Sequence, residues 1–134
     1  MEIKKQLSVF MENKAGNLAK FSALLEESGI AILGISVTDA VDHAVIRLVV
    51  DDPSKCTHIL GDNGIVVIES DVLQVEVTSQ PGELKRIAQI LSQESINIDY
   101  IYGSESQGSG HSTLIFKVSD PKKGLEMMKK HLSH

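Results

Sequence analysis

Gln74-Val75-Glu76-Val77-Thr78-Ser79-Gln80-Pro81-Gly82-Glu83-Leu84 repeats the pattern of Ser8-Val9-Phe10-Met11-Glu12-Asn13-Lys14-Ala15-Gly16-Asn17-Leu18, and Gly82 follows Gly16 by 66 residues. Working outward from that pair, Leu7, Val9 and Met11 fall on Leu73, Val75 and Val77. Leu18, Phe21, Leu24 and Leu25 fall on Leu84, Ile87, Ile90 and Leu91, and Ile30, Ile32 and Ile35 fall on Ile96, Ile98 and Ile101. Asp52-Pro53 is matched by Asp120-Pro121, so the second copy carries two extra residues between. One repeat of this length is a duplicated small domain; a solenoid needs three or more shorter units. The expected domains are 1–70 and 71–134, with almost no linker at Ser70-Asp71.

Each copy shows the same order of elements. Leu7, Val9 and Met11 alternate with Gln6, Ser8 and Phe10, the period of a half-buried strand. Asn13–Gly16 is a turn. Asn17–Ser28 places Leu18, Phe21, Leu24 and Leu25 on one helical face. Strands follow over Ile30–Thr38 and Ala44–Val50. Asp52 is an expected N-cap, with Pro53 at the first helical position, and Ile65–Glu69 is a fourth strand. The order β-α-β-β-α-β is ferredoxin-like: two helices over one face of a four-stranded antiparallel sheet. The second copy repeats it over Val72–Thr78, Glu83–Glu94, Asn97–Tyr102, Ser112–Ser119 and Pro121–Leu132, and then the chain stops. The expected class is α+β, two such units in tandem, the second without its last strand. Its first strand is then an uncovered edge, and such an edge pairs with other chains unless blunted.

The chain has 134 residues and a formal net charge of −5, with signs interspersed. That pattern argues against nucleic acid as a partner. A single cysteine, Cys56, allows no internal disulfide and fits a reducing compartment; its spacing from Ile59 makes it a small core residue. No stretch is long enough to span a bilayer, and Met1–Leu7 lacks the apolar core of a signal segment. The expected location is cytoplasmic. No nucleophile elbow, metal-binding helix or phosphate loop is present, so the chain reads as non-catalytic, with no cofactor and no metal. His131 and His134 have a metal-compatible spacing but no accompanying cluster, and His43 and His111 coincide between copies beside the third strand.

Asn13-Lys14-Ala15-Gly16-Asn17-Leu18 resembles the opening signature of the ACT domain, and Ser79-Gln80-Pro81-Gly82-Glu83-Leu84 resembles it more closely. Gly29-Ile30-Ala31-Ile32 and Ser95-Ile96-Asn97-Ile98 are similar to that family's entry into the second strand. The resemblance spans nearly the whole chain and implies a free-standing tandem ACT regulatory protein. It implies a small amino acid-like ligand held between modules, by the first turn of one and the second-strand start of the other. The residues so implied are Asn13, Ala15, Gly16, Asn17 and Leu18 with Asn97 and Ile98, and Ser79, Pro81, Gly82 and Leu84 with Ala31 and Ile32. Tyr100 shares a strand face with Tyr102, either as a packed pair or as a pocket wall beside Asn97.

Physical chemistry points to the same turns. A turn entering a helix exposes free N–H groups and the positive end of the helix dipole, which stabilise a carboxylate. Asn97 can donate and accept. Two classes of function stay open: ligand binding that alters association, or a structural module docking a partner through its sheet face or edge. A homodimer is expected, through a mixed apolar face of Phe10, Val45, Val49 and Ile115 or through the uncovered edge at Val72–Thr78.

Overall fold

A computed structural model of the chain describes residues 1–40, 42–78, 80–105 and 110–132. The elements run β1 (Glu2–Met11), α1 (Asn17–Glu27), β2 (Ile32–Asp39), β3 (Ala44–Val50) and α2 (Pro53–Asp62). They continue with β4 (Val67–Thr78), α3 (Glu83–Gln93), β5 (Ile98–Glu105), β6 (His111–Val118) and α4 (Pro121–His131). The chain divides into two compact units. The first is Lys5–Ser70; the second is Asp71–His134 together with Met1–Lys4.

In the first unit the strand order is β2-β3-β1-β4. β3 pairs antiparallel with β1 (Leu7↔Leu48, Val9↔Ile46) and with β2 (Ile35↔Leu48, Val37↔Ile46). Leu7, Val9, Ile46 and Leu48 meet Phe21 and Leu25 of α1 and Cys56 and Leu60 of α2 in one core, so both helices lie on one sheet face. Each such fully buried side chain contributes about 1.5–3 kcal/mol relative to exposure. The second unit repeats this plan. β6 pairs antiparallel with β4 (Leu73↔Phe116, Val75↔Leu114) and with β5 (Ile101↔Phe116). Ile87, Ile90 and Leu91 of α3 and Met128 of α4 close over Leu73, Val75, Phe116 and Val118. The duplicated Asp-Pro pairs start α2 and α4. Asp52 Oδ1 accepts from the Lys55 N–H and Asp120 Oδ1 from the Lys123 N–H, both at 3.1 Å.

Four expectations need correction. The 70/71 division assigned Met1–Lys4 to the first copy, but these residues group with the second. They are the start of β1, the hydrogen-bonded neighbour of β4, and Met1 and Ile3 pack against the second core. The start of β1 thus stands beside β4 in the second unit, on the side away from β6, so the Val72–Thr78 strand is not a wholly uncovered edge. The strands expected at Ile65–Glu69 and Val72–Thr78 are one continuous strand, β4. No residue between them breaks the extended backbone, so no turn forms.

The second pair of corrections concerns exposure. Leu18 and Leu84, expected on the core faces of their helices, are exposed. Each lies in the first turn, one turn before the side chains that reach the core, Phe21 and Ile87. The bare apolar face is also absent. Val49 of the first unit is 1% and Ile115 of the second 3% exposed, and neither belongs to the helix-side core of its unit. Phe10 and Val45 are half-buried. Two of the four side chains expected to form an open apolar face are thus withdrawn from water.

Cys56 is fully buried, and burial, with the charges of Asp51 and Asp52, pushes its thiol up from 9.0 to about 11. The sign follows from linkage: the reduced, neutral thiol favours the folded state fully below pH 9, and that contribution is lost as pH climbs to about 11. Alkylation at pH 8 is expected to be slow in the native protein and fast in denaturant, as read by mass spectrometry. Ile3→Ala is expected to cost about 1–2 kcal/mol. Hydrogen exchange should localise that loss to the β4 and β6 amides of the second unit and spare β2 and β3.

Candidate functional site

The two helix-initiating turns are built alike. Gly16 caps α1 with φ 88° and Gly82 caps α3 with φ 95°. A Cβ at either position would meet nothing within 4 Å, so the requirement for glycine there is conformational and not spatial. In the first turn Asn13 Nδ2 donates to Asp39 Oδ1 at 2.6 Å, and Asn17 Nδ2 donates to the Glu12 carbonyl at 2.8 Å. The first bond ties the turn to the far end of β2. Ala31 and Ile32 stand at the other end of that strand, where the Ala31 N–H donates to Asp51 Oδ1 at 3.0 Å. β2 has 8 residues, which at about 3.3 Å per residue separates the two ends by roughly 23 Å. One unit therefore does not bring Asn13, Ala15, Gly16, Asn17 and Leu18 together with Ala31 and Ile32.

The second unit repeats the arrangement. The Asn97 N–H donates to Ser119 Oγ at 2.9 Å, as Ala31 does to Asp51, and Asn97 Nδ2 donates to Asp99 Oδ1 at 2.8 Å. The Asn97 carboxamide oxygen is left to accept from a ligand's N–H or ammonium. Asn97 and Ile98 line an open cleft of ≈ 450 Å³ with Ala88, Ser92, Ser95 and Ile96. Pro81 and Gly82 line a different pocket of ≈ 220 Å³ with Gln80, Glu83 and Arg86. Leu84 is exposed beside that turn. Ser79 lies outside the described residues. Tyr100 stacks on Tyr102, ring centroids 6.4 Å apart, and lines neither pocket.

Sequence reasoning missed one groove. In the first unit, Met11, Phe21, Leu24 and Ile65 form an apolar floor, rimmed by Asn17, Lys20, Glu27 and Asn63, around ≈ 510 Å³. Only Asn17 was among the expected site residues. Lys20 and Glu27 are seven apart on α1 and so share a helix face, a spacing that flags the rim. Closure by Asn63 and Ile65 depends on tertiary packing and has no sequence signal.

Among the described residues no group of histidine, cysteine, aspartate and glutamate could hold a metal ion. His131 is exposed on the last turn of α4, and His134 lies outside the described residues. His43 packs near Phe10, ring centroids 5.9 Å apart. No helix among the described residues is long and apolar enough to cross a membrane.

Protein BT0572 from Bacteroides thetaiotaomicron superposes with a TM-score of 0.89 at 29% identity, covering 96% of this chain and 88% of that one. The ligand-free regulatory subunit of aspartate kinase from Thermus thermophilus gives a TM-score of 0.71 at 18% identity, over 98% of this chain and 96% of that one. The corresponding subunit from Thermus flavus gives 0.67 at 19%, with the same coverage. No curated protein matches the chain. A family profile described as an ACT domain pair matches residues 1–134, and with six strands and four helices in the order βαββαβαββα the chain belongs to the ACT domain pair family.

Proposed function

We propose that this chain is a non-catalytic regulatory protein that binds a small amino acid-like ligand between ACT modules. The observation that carries the reading is the first turn. α2 and α4 are capped by aspartate and α3 has Glu83 in its first turn, whereas α1 has no side-chain cap and no acidic residue there. Its N-terminus keeps its positive end available to an external carboxylate. The Asn97 oxygen is the acceptor a ligand's ammonium group requires, and the exposed Leu18 supplies an apolar wall. Two of the structural relatives are regulatory subunits, so this fold serves regulation in those proteins.

The roughly 23 Å separation within a unit means that turn and second-strand start belong to different modules when they meet. Edge strand β2 supports a second copy of the chain as part of the answer. Ile35 and Val37 lie on the helix-covered side with Leu48 and Ile46, yet are 44% and 51% exposed, and Ile32 and Leu33 beside them are exposed too. Neither lysine nor proline blunts the strand. Edges of this kind pair with another chain unless protected. The proposed assembly is a homodimer through β2, and ligand binding across it would shift association.

Two experiments test this. In a thermal-shift screen at millimolar concentration, at least one of the twenty amino acids should raise the melting temperature. Asn97→Ala should weaken that ligand by about 1 kcal/mol or more with the fold intact, because the side chain makes only a local bond to Asp99. No response across the screen would leave the docking-module alternative in possession. Sedimentation at low micromolar concentration should show a dimer, and Val37→Lys should convert it to monomer.

A further inference from the structure

Helix α1 carries two charges at the wrong ends. Lys20 stands in its first turn and Glu27 is its last residue, with no acidic residue in the first turn and no basic one in the last. A cation near the positive end of a helix and an anion near the negative end both oppose the helix dipole. Nothing in the chain offsets this. Among the described residues neither side chain takes part in an ion pair or a hydrogen bond. Both are exposed, and both stand on the rim of the ≈ 510 Å³ groove floored by Met11, Phe21, Leu24 and Ile65.

The second unit lacks the arrangement. Lys20 corresponds there to Arg86 and Glu27 to Gln93. Arg86 Nη2 donates to the His131 carbonyl at 3.0 Å, which ties the guanidinium across to the end of α4, and Gln93 is neutral. In the first unit the pair is also self-complementary. The midpoint between Lys20 and Glu27 falls between Ala23 and Leu24, which both line the groove. A twofold axis at that midpoint, with α1 antiparallel to α1 of another molecule, sets each Lys20 beside the other molecule's Glu27. It also sets each Lys20 at the negative end of the facing helix, and each Glu27 at the positive end. A parallel pairing would set like charge against like. The short Ala23 side chain lets the two axes come close, and each Leu24 then meets the apolar floor of the facing groove.

We propose that this groove docks α1 of a second copy of the chain, antiparallel about a twofold axis. The contact goes beyond the assembly through β2 and uses a different surface, since no residue of β2 lines the groove. Nine residues line it in each molecule, against about 20–30 a side in a stable interface, so the contact is weak and forms at higher concentration than the β2 dimer.

The test is sedimentation velocity from low micromolar to several hundred micromolar protein at low salt. The wild-type chain should show an association step at the upper end of that range, weakened by added salt. Lys20→Glu and Glu27→Lys each leave two like charges on this face. Both changes agree with the helix dipole, so circular dichroism should report an intact fold. Either variant alone should weaken the step by about tenfold or more. A 1:1 mixture of the two variants brings opposite charges together and should restore it. In a Val37→Lys background the step should persist as monomer to dimer, which separates it from assembly through β2. No step in the wild-type chain would overturn the proposal and leave the groove to a different partner. A step indifferent to both reversals, or a mixture that stays apart, would overturn it too. The low-micromolar dimer decides the β2 reading on its own, whichever way the α1 step falls.

Discussion

Every backbone donor and acceptor of a buried strand needs a partner, and that requirement organises this protein. Among the strands of residues 71–134, β4 has one neighbour, β6. The start of β1 fills the other side, and Met1 and Ile3 cover part of the second core. β1 and β4 consequently each contribute residues to both units. A unit cut from the chain at residue 70/71 would lose a strand, which is why sequence similarity and structural compactness divide the chain at different places.

The same economy governs the sheet faces. An antiparallel sheet with helices on one side commonly leaves the other side wet. Here Gln6, Val49, Val72 and Ile115 are buried on the side away from the helices. With that face withdrawn, the exposed aliphatic residues of the first unit concentrate on β2. An edge strand with several exposed aliphatic side chains and no gatekeeper is poorly suited to an isolated unit and well suited to an interface.

Duplication supplies two copies of the glycine turn and of the second-strand start, and divergence has made them unequal. Gly16 and Gly82 keep the same left-handed conformation, so the backbone cradle is retained in both. Beside it stand Asn17 in one copy and Glu83 in the other, a neutral amide against a carboxylate. At the second-strand starts stand Ala31 and Asn97. In both copies the backbone N–H at this start donates to a side-chain oxygen just past the third strand, Asp51 Oδ1 or Ser119 Oγ, while the side chains at the start differ. Backbone geometry is thus retained while the polar groups beside it differ.

The sequence alone determined the duplication, the βαββαβ order, the Asp-Pro caps of α2 and α4, the buried Cys56 and the two glycine turns. These are local properties: periodicity, capping chemistry and backbone conformation act over a few residues and are written in them. Tertiary structure alone decided where the missing strand comes from, that Val49 and Ile115 are covered, that Leu18 and Leu84 are not, and that the Lys20–Glu27 rim closes over a groove. Those outcomes depend on which distant segments meet. Pairing between the start of β1 and a strand some seventy residues away leaves no periodicity at Met1–Lys4 to announce it. Burial of one sheet face is likewise a property of the assembled fold and not of any single strand.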